Sequence, residues 1–218
     1  MNQDLSQIVV CYATRPHKEL SELLLSKSKD NLISILTDLL TAYINDKNSS
    51  SLREYVTVLI AEYQHNPNKL GYNGYKQSSA IGGKSISCEA KPKNIQTEGY
   101  ELKKTKSKLN GEGGFNDYTS ERLEKDAKVN LNILSSGFID GELQYVLEFP
   151  FKTVYERLKK QLPEKRVKGT YTRMATFNFS HYQEHKSSKV IYLNKVSAER
   201  NKKYFNRKFF AYLMECEA

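Results

Sequence analysis

Glu89 and Lys91 are the residues of this chain whose types and spacing best suit chemistry. They lie within residues 84–92, where small or apolar positions alternate with polar ones, and this period of two predicts a β-strand with one buried face. Both side chains then project from the other face. A carboxylate there can hold a divalent metal ion, and the amine beside it can position a water or stabilise charge on a phosphate. The alternative is an ordinary ion pair on a surface strand.

Helices and strands alternate along the sequence around this pair. Their order predicts a mixed α/β fold, with a central β-sheet flanked by helices. Gly82-Gly83 begins the Glu89 strand, and we expect Pro92 to end it because proline cannot donate to a sheet ladder. Hydrophobic periodicity and turn signals predict the other elements. These are helices at 17–45 (in two pieces), 51–64, 117–129 (capped by Asp117 or Thr119), 151–162 and from Ala198, and strands at 131–135, 143–149, 173–180 and 190–194, with a hairpin turn at Asp140-Gly141.

Within the strand at 143–149 we expect Leu143, Tyr145, Leu147 and Phe149 to share one face. The length of 218 residues suits a single domain. We divide it into an N-terminal helical part (1–50), a core that carries the Glu89 strand (51–162) and a basic, aromatic-rich part (163–218).

Positive charge is concentrated in the last third of the chain. Residues 151–218 contain 16 Lys and Arg but 6 Asp and Glu, whereas residues 1–150 contain 18 and 19. Aromatic residues are interleaved with these cations, which suits a nucleic acid because cations bind phosphates and flat rings stack on sugars and bases. The alternative is a solvated basic surface over an aromatic core. The candidate contacts in this part are Lys165, Arg166, Lys168, Arg173, Lys186 and Lys189.

Residues 93–116 are polar and predict a long loop. Its candidate DNA contacts are Lys104, Lys106, Lys108 and Asn110, just before the glycines at 111, 113 and 114. Such a loop can follow a DNA backbone and become ordered on binding, or it can be a mobile surface loop. No Gly-Lys-Ser/Thr sequence follows the glycines, which argues against a nucleotide cofactor.

Composition excludes several other classes of protein. The sequence contains no run of 18 apolar residues, so no membrane span is predicted. The N-terminus lacks the features of a signal peptide. The three cysteines are scattered, and no histidine stands at metal-ligand spacing, so neither a zinc site nor a disulfide framework is expected. These features favour a cytoplasmic protein.

Over residues 51–162, the order helix, short strand, strand with Glu-x-Lys, helix and strand resembles the core of the PD-(D/E)xK nuclease superfamily. Most type II restriction endonucleases belong to it. In that family two acidic residues hold Mg²⁺ and the lysine serves the attacking water; Glu89 matches the second acid and Lys91 the lysine. The resemblance implies a restriction-endonuclease-like core with a basic C-terminal extension. It also implies Mg²⁺-dependent, sequence-specific cleavage of double-stranded DNA, and the palindromic sites of such enzymes favour a twofold homodimer.

The chain departs from the family pattern at the first acid, because no Asp or Glu lies between Glu62 and Glu89. Asn73 is closest in shape to the missing residue and could hold Mg²⁺ only weakly, since it lacks the charge of aspartate. Either an introduced substitution has replaced an aspartate at Asn73, or the first acid comes from Glu62 or Glu54 on the preceding helix. A further alternative is that Asn73-Gly74 is simply a turn.

Overall fold

The computed structural model describes residues 3–45, 50–68, 71–77, 83–97, 100–102, 104, 106–162 and 171–216. Their helices are α1 (Gln3–Thr14), α2 (His17–Leu25), α3 (Lys29–Asn45), α4 (Ser51–Ile60), α5 (Ser120–Lys128), α6 (Lys152–Lys159), α7 (Lys195–Arg200) and α8 (Arg207–Glu215). Their strands are β1 (Gln64–His65), β2 (Gly74–Lys76), β3 (Ile86–Ile95), β4 (Gly113–Tyr118), β5 (Leu131–Ile139), β6 (Glu142–Pro150), β7 (Thr172–Phe177) and β8 (Lys189–Leu193).

Six of the strands form one mixed sheet in the order β1-β2-β3-β5-β6-β8. The central pair, β3 and β5, is parallel, and all other neighbours are antiparallel. The remaining strands, β4 and β7, form a separate antiparallel ribbon. The expected mixed α/β fold with a sheet flanked by helices is therefore confirmed. Because β8 pairs with β6, the C-terminal third contributes a strand to the same sheet as the core.

Each face of the sheet packs against its own hydrophobic cluster. On one face, Cys88 and Ala90 of β3 pack with Val56 and Val58 of α4. On the other, Ile133 of β5 packs with aromatic residues of the ribbon and of the C-terminal third. Glu89 and Lys91 alternate with Cys88 and Ala90, so they project toward the ribbon side.

The strand that carries Glu89 is longer than the sequence indicates. We expected Pro92 to end it, but β3 continues to Ile95, and Pro92 lies opposite Ser136 of β5. The physical reason is that β2 covers β3 only at residues 86–88, which leaves the far side of β3 without a partner strand at Pro92. A proline with no ladder bond to donate is tolerated at such an edge.

The polar segment 93–116 is also more ordered than predicted. It contains the end of β3, a single turn at Tyr100–Leu102 and the first four residues of β4. The predicted helix at 117–129 begins only at Ser120, because β4 runs to Tyr118. Of the two candidate caps, Thr119 is the one observed, and its hydroxyl accepts the Arg122 N–H at 3.1 Å. The predicted final helix from Ala198 is two helices, α7 and α8.

The hairpin at Asp140-Gly141 is confirmed, and both residues have positive φ, at 48° and 81°. One expectation for its second strand is wrong. Tyr145, Leu147 and Phe149 share the ribbon-side cluster, but Leu143 belongs to the α4-side cluster. The register of β5 against β6 shifts after Gly137, and such a bulge turns the following side chains to the other face.

The aromatic residues of the C-terminal third are mostly core residues. Phe177, Tyr182, Phe205 and Phe209 are all buried in the ribbon-side cluster, and Tyr182 stacks on Phe149 with ring centroids 3.7 Å apart. These rings cannot stack on nucleic-acid bases, whereas the ring of Tyr171 is exposed. For these residues the structure matches the alternative of an aromatic core beneath a basic surface.

Glu148 of β6 is the centre of a buried polar network on the α4 side of the sheet. Its carboxylate accepts hydrogen bonds from Tyr63 and from Asn132, the latter at 2.7 Å, and pairs with Lys76 at 3.1 Å and Lys189 at 3.0 Å. Burial alone would raise the pKa of Glu148, but the bonds from Tyr63 and Lys189 outweigh it and hold that pKa below its ordinary value. The network joins the α4–β1 connection to β2, β5, β6 and β8.

We expect Glu148→Gln to lower the free energy of unfolding by about 1–3 kcal/mol at pH 7, because the charge that both lysines face is lost. A carboxyl whose pKa is lowered by folding stabilises the fold above its unfolded pKa. That contribution disappears as pH falls through the folded value, which lies below 4.5. Urea unfolding at pH 7, 5, 4 and 3 should therefore show the difference between parent and variant shrinking in acid. Glu142→Gln, on the same strand but in an exposed pair with Arg200, is the control and should cost under about 1 kcal/mol. A pH-independent difference would contradict this role of Glu148.

Candidate active site

The Glu89 carboxylate is buried, with only 6% of the residue exposed. Its Oε1 atom is 2.8 Å from Lys91 Nζ, so the same-face placement predicted from the sequence is confirmed. The Lys91 ammonium also lies over the Phe115 ring, 4.2 Å from the centroid, which fixes it between the strand and the ribbon. The other carboxylate oxygen, Oε2, is buried and has no hydrogen-bond partner. A buried carboxylate oxygen without a partner is costly unless a ligand completes it.

Asn73 lies directly beside the Glu89 strand. Gly74 pairs with Cys88 in the β2–β3 ladder, and the Asn73 side chain continues that ladder by accepting the Ala90 N–H at Oδ1, 2.8 Å away. Its Nδ2 donates to Glu54 Oε2 at 3.1 Å. The amide therefore links α4 to β3, which a simple Asn-Gly turn would not do.

The two acids considered as sources of the first ligand are placed differently. Glu54, in the first turn of α4, lines the same cleft as Asn73 and Glu89, and its other oxygen accepts from the Ser50 hydroxyl at 2.9 Å. Glu62 lies beyond the end of α4, is exposed, has a φ of 60° and is not among the residues that line this cleft. The structure brings Glu54 to the candidate site and leaves Glu62 away from it.

Arg122 is a further member of the site that the sequence did not reveal. It lies in the first turn of α5, and its Nη2 is 3.3 Å from Glu89 Oε1. Its Nε is 3.7 Å from the carboxylate of Asp126, which also accepts from the Tyr118 and Tyr72 hydroxyls at 2.8 and 3.0 Å. Burial raises the pKa of Asp126, and these bonds offset only part of that rise. No sequence signal pointed to Arg122, because β4 and α5 approach β3 only in the folded chain.

Oxygen donors of the type that Mg²⁺ prefers line one cleft. The cleft has a volume of about 610 Å³ and is lined by Glu54, Asn73 and Glu89, which supply two carboxylates and an amide oxygen. Among the residues that the structure describes, no group of three His, Cys, Asp or Glu side chains is placed to hold a metal. Mg²⁺ does not need three, since it is commonly bound by one or two carboxylates while keeping several waters and taking phosphate oxygens from a substrate. The unpartnered Oε2 of Glu89 is the oxygen that such an ion would complete.

A second cleft, of about 490 Å³, extends from the first along the outer face of the ribbon. The two clefts share Glu54, Ala90 and Lys91. The ribbon contributes Gly114, Asn116, Met174 and Thr176, and its inner face packs on the core through Phe115 and Phe177. Lys93 and Arg157 contribute cations to this cleft, and Glu112, the ion-pair partner of Lys93, contributes an anion.

Of the candidate DNA contacts in residues 104–110, Lys108 lies near the end of β3. Lys93 donates to the Lys108 carbonyl at 2.7 Å, which ties this segment to the Glu89 strand. Lys106 pairs with Glu101, and the Asn110 side chain accepts the Glu112 N–H within its own loop. Lys104 and Lys108 are exposed.

The C-terminal candidates are dispersed. Arg173 is exposed on β7 of the ribbon, and Lys186 is exposed in the turn before β8. Lys189 pairs with Glu148 on the opposite face of the sheet from Glu89. Lys165, Arg166 and Lys168 lie outside the described residues.

A comparison with protein-family models finds no match, and a search of curated proteins finds no significant similarity. Within the described part of the chain, no helix has the length and apolar character needed to cross a membrane.

Gly113 is required for the ribbon to approach the Glu89 strand. A Cβ at this position would lie 2.4 Å from the Phe177 ring and 2.8 Å from Lys91 Cβ, whereas a Cβ at Gly114 would have only ordinary contacts, the nearest at 3.4 Å. We expect Gly113→Ala to cost about 1–3 kcal/mol by overpacking and to displace Lys91. Gly114→Ala, its matched control, should change stability by less than about 0.5 kcal/mol. Thermal unfolding of both variants checks this, and equal stability would show that the close approach is unimportant.

Proposed function

We propose that this chain is a Mg²⁺-dependent endonuclease that cuts double-stranded DNA at specific sequences, in the manner of a type II restriction enzyme. The observation that carries the proposal is the buried Glu89 carboxylate. One of its oxygens is held by Lys91, the other is buried without a hydrogen-bond partner, and the residue lines a cleft together with Glu54 and Asn73. A cleft with a few convergent polar groups is where active sites usually lie.

Hydrolysis of a phosphodiester needs an oriented water and stabilisation of the charge that develops on the phosphate. When bound, Mg²⁺ supplies positive charge and a more acidic water. Glu89 and Glu54 would hold it through their carboxylate oxygens. Lys91, fixed by Glu89 and by the Phe115 ring, would donate a hydrogen bond to the attacking water or to a phosphate oxygen.

The second cleft supports a path for the duplex. It continues from Lys91 along the ribbon, and a two-stranded β-ribbon is of a size that the major groove admits. Asn116, Met174 and Thr176 on its outer face would approach base edges, while Lys93, Arg157 and Arg173 would contact phosphates. The proposal includes a restriction-endonuclease-like core. It also includes a homodimer, because twofold symmetry gives one active site for each strand of a palindromic target.

The alternative function is a non-catalytic DNA- or RNA-binding protein. The amide of Asn73 favours it, because an amide contributes no charge to a metal site and its Nδ2 already donates to Glu54. In such a protein Glu89 and Lys91 would be a structural ion pair, and nucleic-acid binding would need no metal. The two functions differ in what Mg²⁺ does to plasmid DNA.

The first test replaces the pair with side chains of similar shape. In any version of the chain that cuts DNA, Glu89→Gln and Lys91→Gln should each reduce cleavage of supercoiled plasmid at least about a hundredfold. The DNA affinity of Glu89→Gln should change little, because the Glu89 side chain is buried. Lys18→Gln, an exposed lysine on α2, is the control and should cut at the parent rate. Nicking by Glu89→Gln at that rate would remove the nuclease assignment from this site.

The second test concerns Asn73. In the parent, Asn73 Nδ2 donates to Glu54 Oε2 at 3.1 Å. Asn73→Asp replaces this donor with a carboxylate oxygen, which the Glu54 carboxylate repels. Without metal the variant should therefore melt at a lower temperature than the parent. Mg²⁺ should restore its stability through mass action and raise cleavage by orders of magnitude. The measurements are melting temperature against Mg²⁺ concentration and plasmid cleavage.

Asn66→Asp is the matched control for this substitution. Asn66 hydrogen-bonds the Tyr72 carbonyl in the same connection, but it does not line the cleft. Its response to Mg²⁺ should equal that of the parent. If Asn73→Asp also responds like the parent and leaves plasmid intact, the alternative of a non-catalytic binding protein is supported.

A further inference from the structure

Arg122 places a second cation on a carboxylate that already has one. Lys91 Nζ and Arg122 Nη2 both approach the same oxygen, Glu89 Oε1, at 2.8 and 3.3 Å. They come from different elements, Lys91 from β3 and Arg122 from α5. A single buried carboxylate needs one cation to balance its charge, so the second is in excess at Glu89 itself.

The two cations differ in their freedom to leave. The Lys91 side chain is 16% exposed and is held over the Phe115 ring between strand and ribbon. The Arg122 side chain is 41% exposed and borders the cleft, with its guanidinium carbon 5.5 Å from the same ring centroid. Arg122 is therefore the cation nearer the cleft opening, and turning toward that opening would release its contacts with both Glu89 and Asp126.

A metal ion at Glu89 competes with this arginine. The ion would bring positive charge to the carboxylate that Arg122 contacts, and like charges at such distances in a partly buried site repel strongly. A phosphate entering the cleft offers Arg122 another partner, because the planar guanidinium binds phosphate oxygens through two parallel hydrogen bonds.

We propose that Arg122 is an exchangeable counter-ion that couples metal binding to substrate binding. Without nucleic acid it pairs with Glu89 as a second cation and weakens metal binding there. When a phosphodiester is bound it contacts the phosphate and leaves Glu89 to the metal. This inference rests on the proposed function and names Arg122 as a positioning residue. By thermodynamic linkage, DNA must then tighten Mg²⁺ binding by the same factor by which Mg²⁺ tightens DNA binding.

The test compares three variants by calorimetric titration with Mg²⁺ in the absence of DNA. Arg122→Gln should bind Mg²⁺ about tenfold more tightly than the parent, because the competing cation is gone. Lys128→Gln is the matched control, since it removes the same charge from the last turn of α5, outside the cleft and away from the Glu89 carboxylate. Arg122→Lys keeps the charge and should bind Mg²⁺ as the parent does, which separates loss of charge from disturbed folding.

The second measurement uses short duplexes of random sequence in EDTA. For Arg122→Gln, the slope of log affinity against log salt should fall by about one, since one phosphate contact is lost. The affinity for Ca²⁺, used in place of Mg²⁺, is then measured with and without the same duplexes. The factor by which DNA tightens Ca²⁺ binding should be about tenfold larger for the parent than for Arg122→Gln.

Equal Mg²⁺ affinity of the parent and Arg122→Gln without DNA would overturn the counter-ion role while leaving the nuclease proposal intact. An unchanged salt slope would overturn the phosphate contact. Failure of both the parent and Asn73→Asp to bind Mg²⁺ or cut DNA would instead remove the proposed function, and this inference with it.

Discussion

A carboxylate enclosed beside the core of a sheet must be paired, and at Glu89 this requirement is met by residues from three different elements. An unpaired buried charge would be too costly to keep, so the fold has to bring cations to it. Lys91 comes from the same strand, Arg122 from α5, and the Phe115 ring of β4 holds the lysine in place. The approach of β4 in turn depends on Gly113, because any larger side chain would collide with Lys91 and Phe177.

The second buried carboxylate of the sheet shows what a purely structural site looks like in the same fold. Glu148 is bonded or paired to Tyr63, Asn132, Lys76 and Lys189, and those partners hold it in its charged form. Glu148 Oε2 also lacks a well-aligned hydrogen bond but has Lys189 Nζ 3.0 Å away, whereas both cations of Glu89 contact its Oε1. The contrast matters because burial alone does not mark a functional group. Glu89 lines a cleft and has both of its cations on one oxygen, whereas the two lysines of Glu148 contact one oxygen each.

The sequence predicted those parts of the site that depend on local pattern. Alternation along β3 placed Glu89 and Lys91 on one face, and turn chemistry placed the hairpin at Asp140-Gly141. It failed where distant segments decide the outcome. Nothing local indicates that the far side of β3 is open at Pro92, that a bulge turns Leu143 to the other face, or that a polar segment forms β4. Arg122 was missed for the same reason, since its role exists only because α5 packs beside β3. Choosing Glu54 over Glu62 likewise needed the structure, because both lie on or near one helix and only Glu54 faces the cleft.

Asn73 links the stability of this site to its chemistry. Its oxygen accepts the Ala90 N–H and its nitrogen donates to Glu54, so one amide satisfies both the strand edge and the helix carboxylate. An aspartate could still accept from Ala90, but it would face Glu54 as a like charge and would need a cation between them. The amide thus gives a cleft that is stable without metal, whereas an acid would give one that requires it. On this argument the residue at position 73 sets the balance between a cleft that is closed by its own hydrogen bonds and one that a cation must complete.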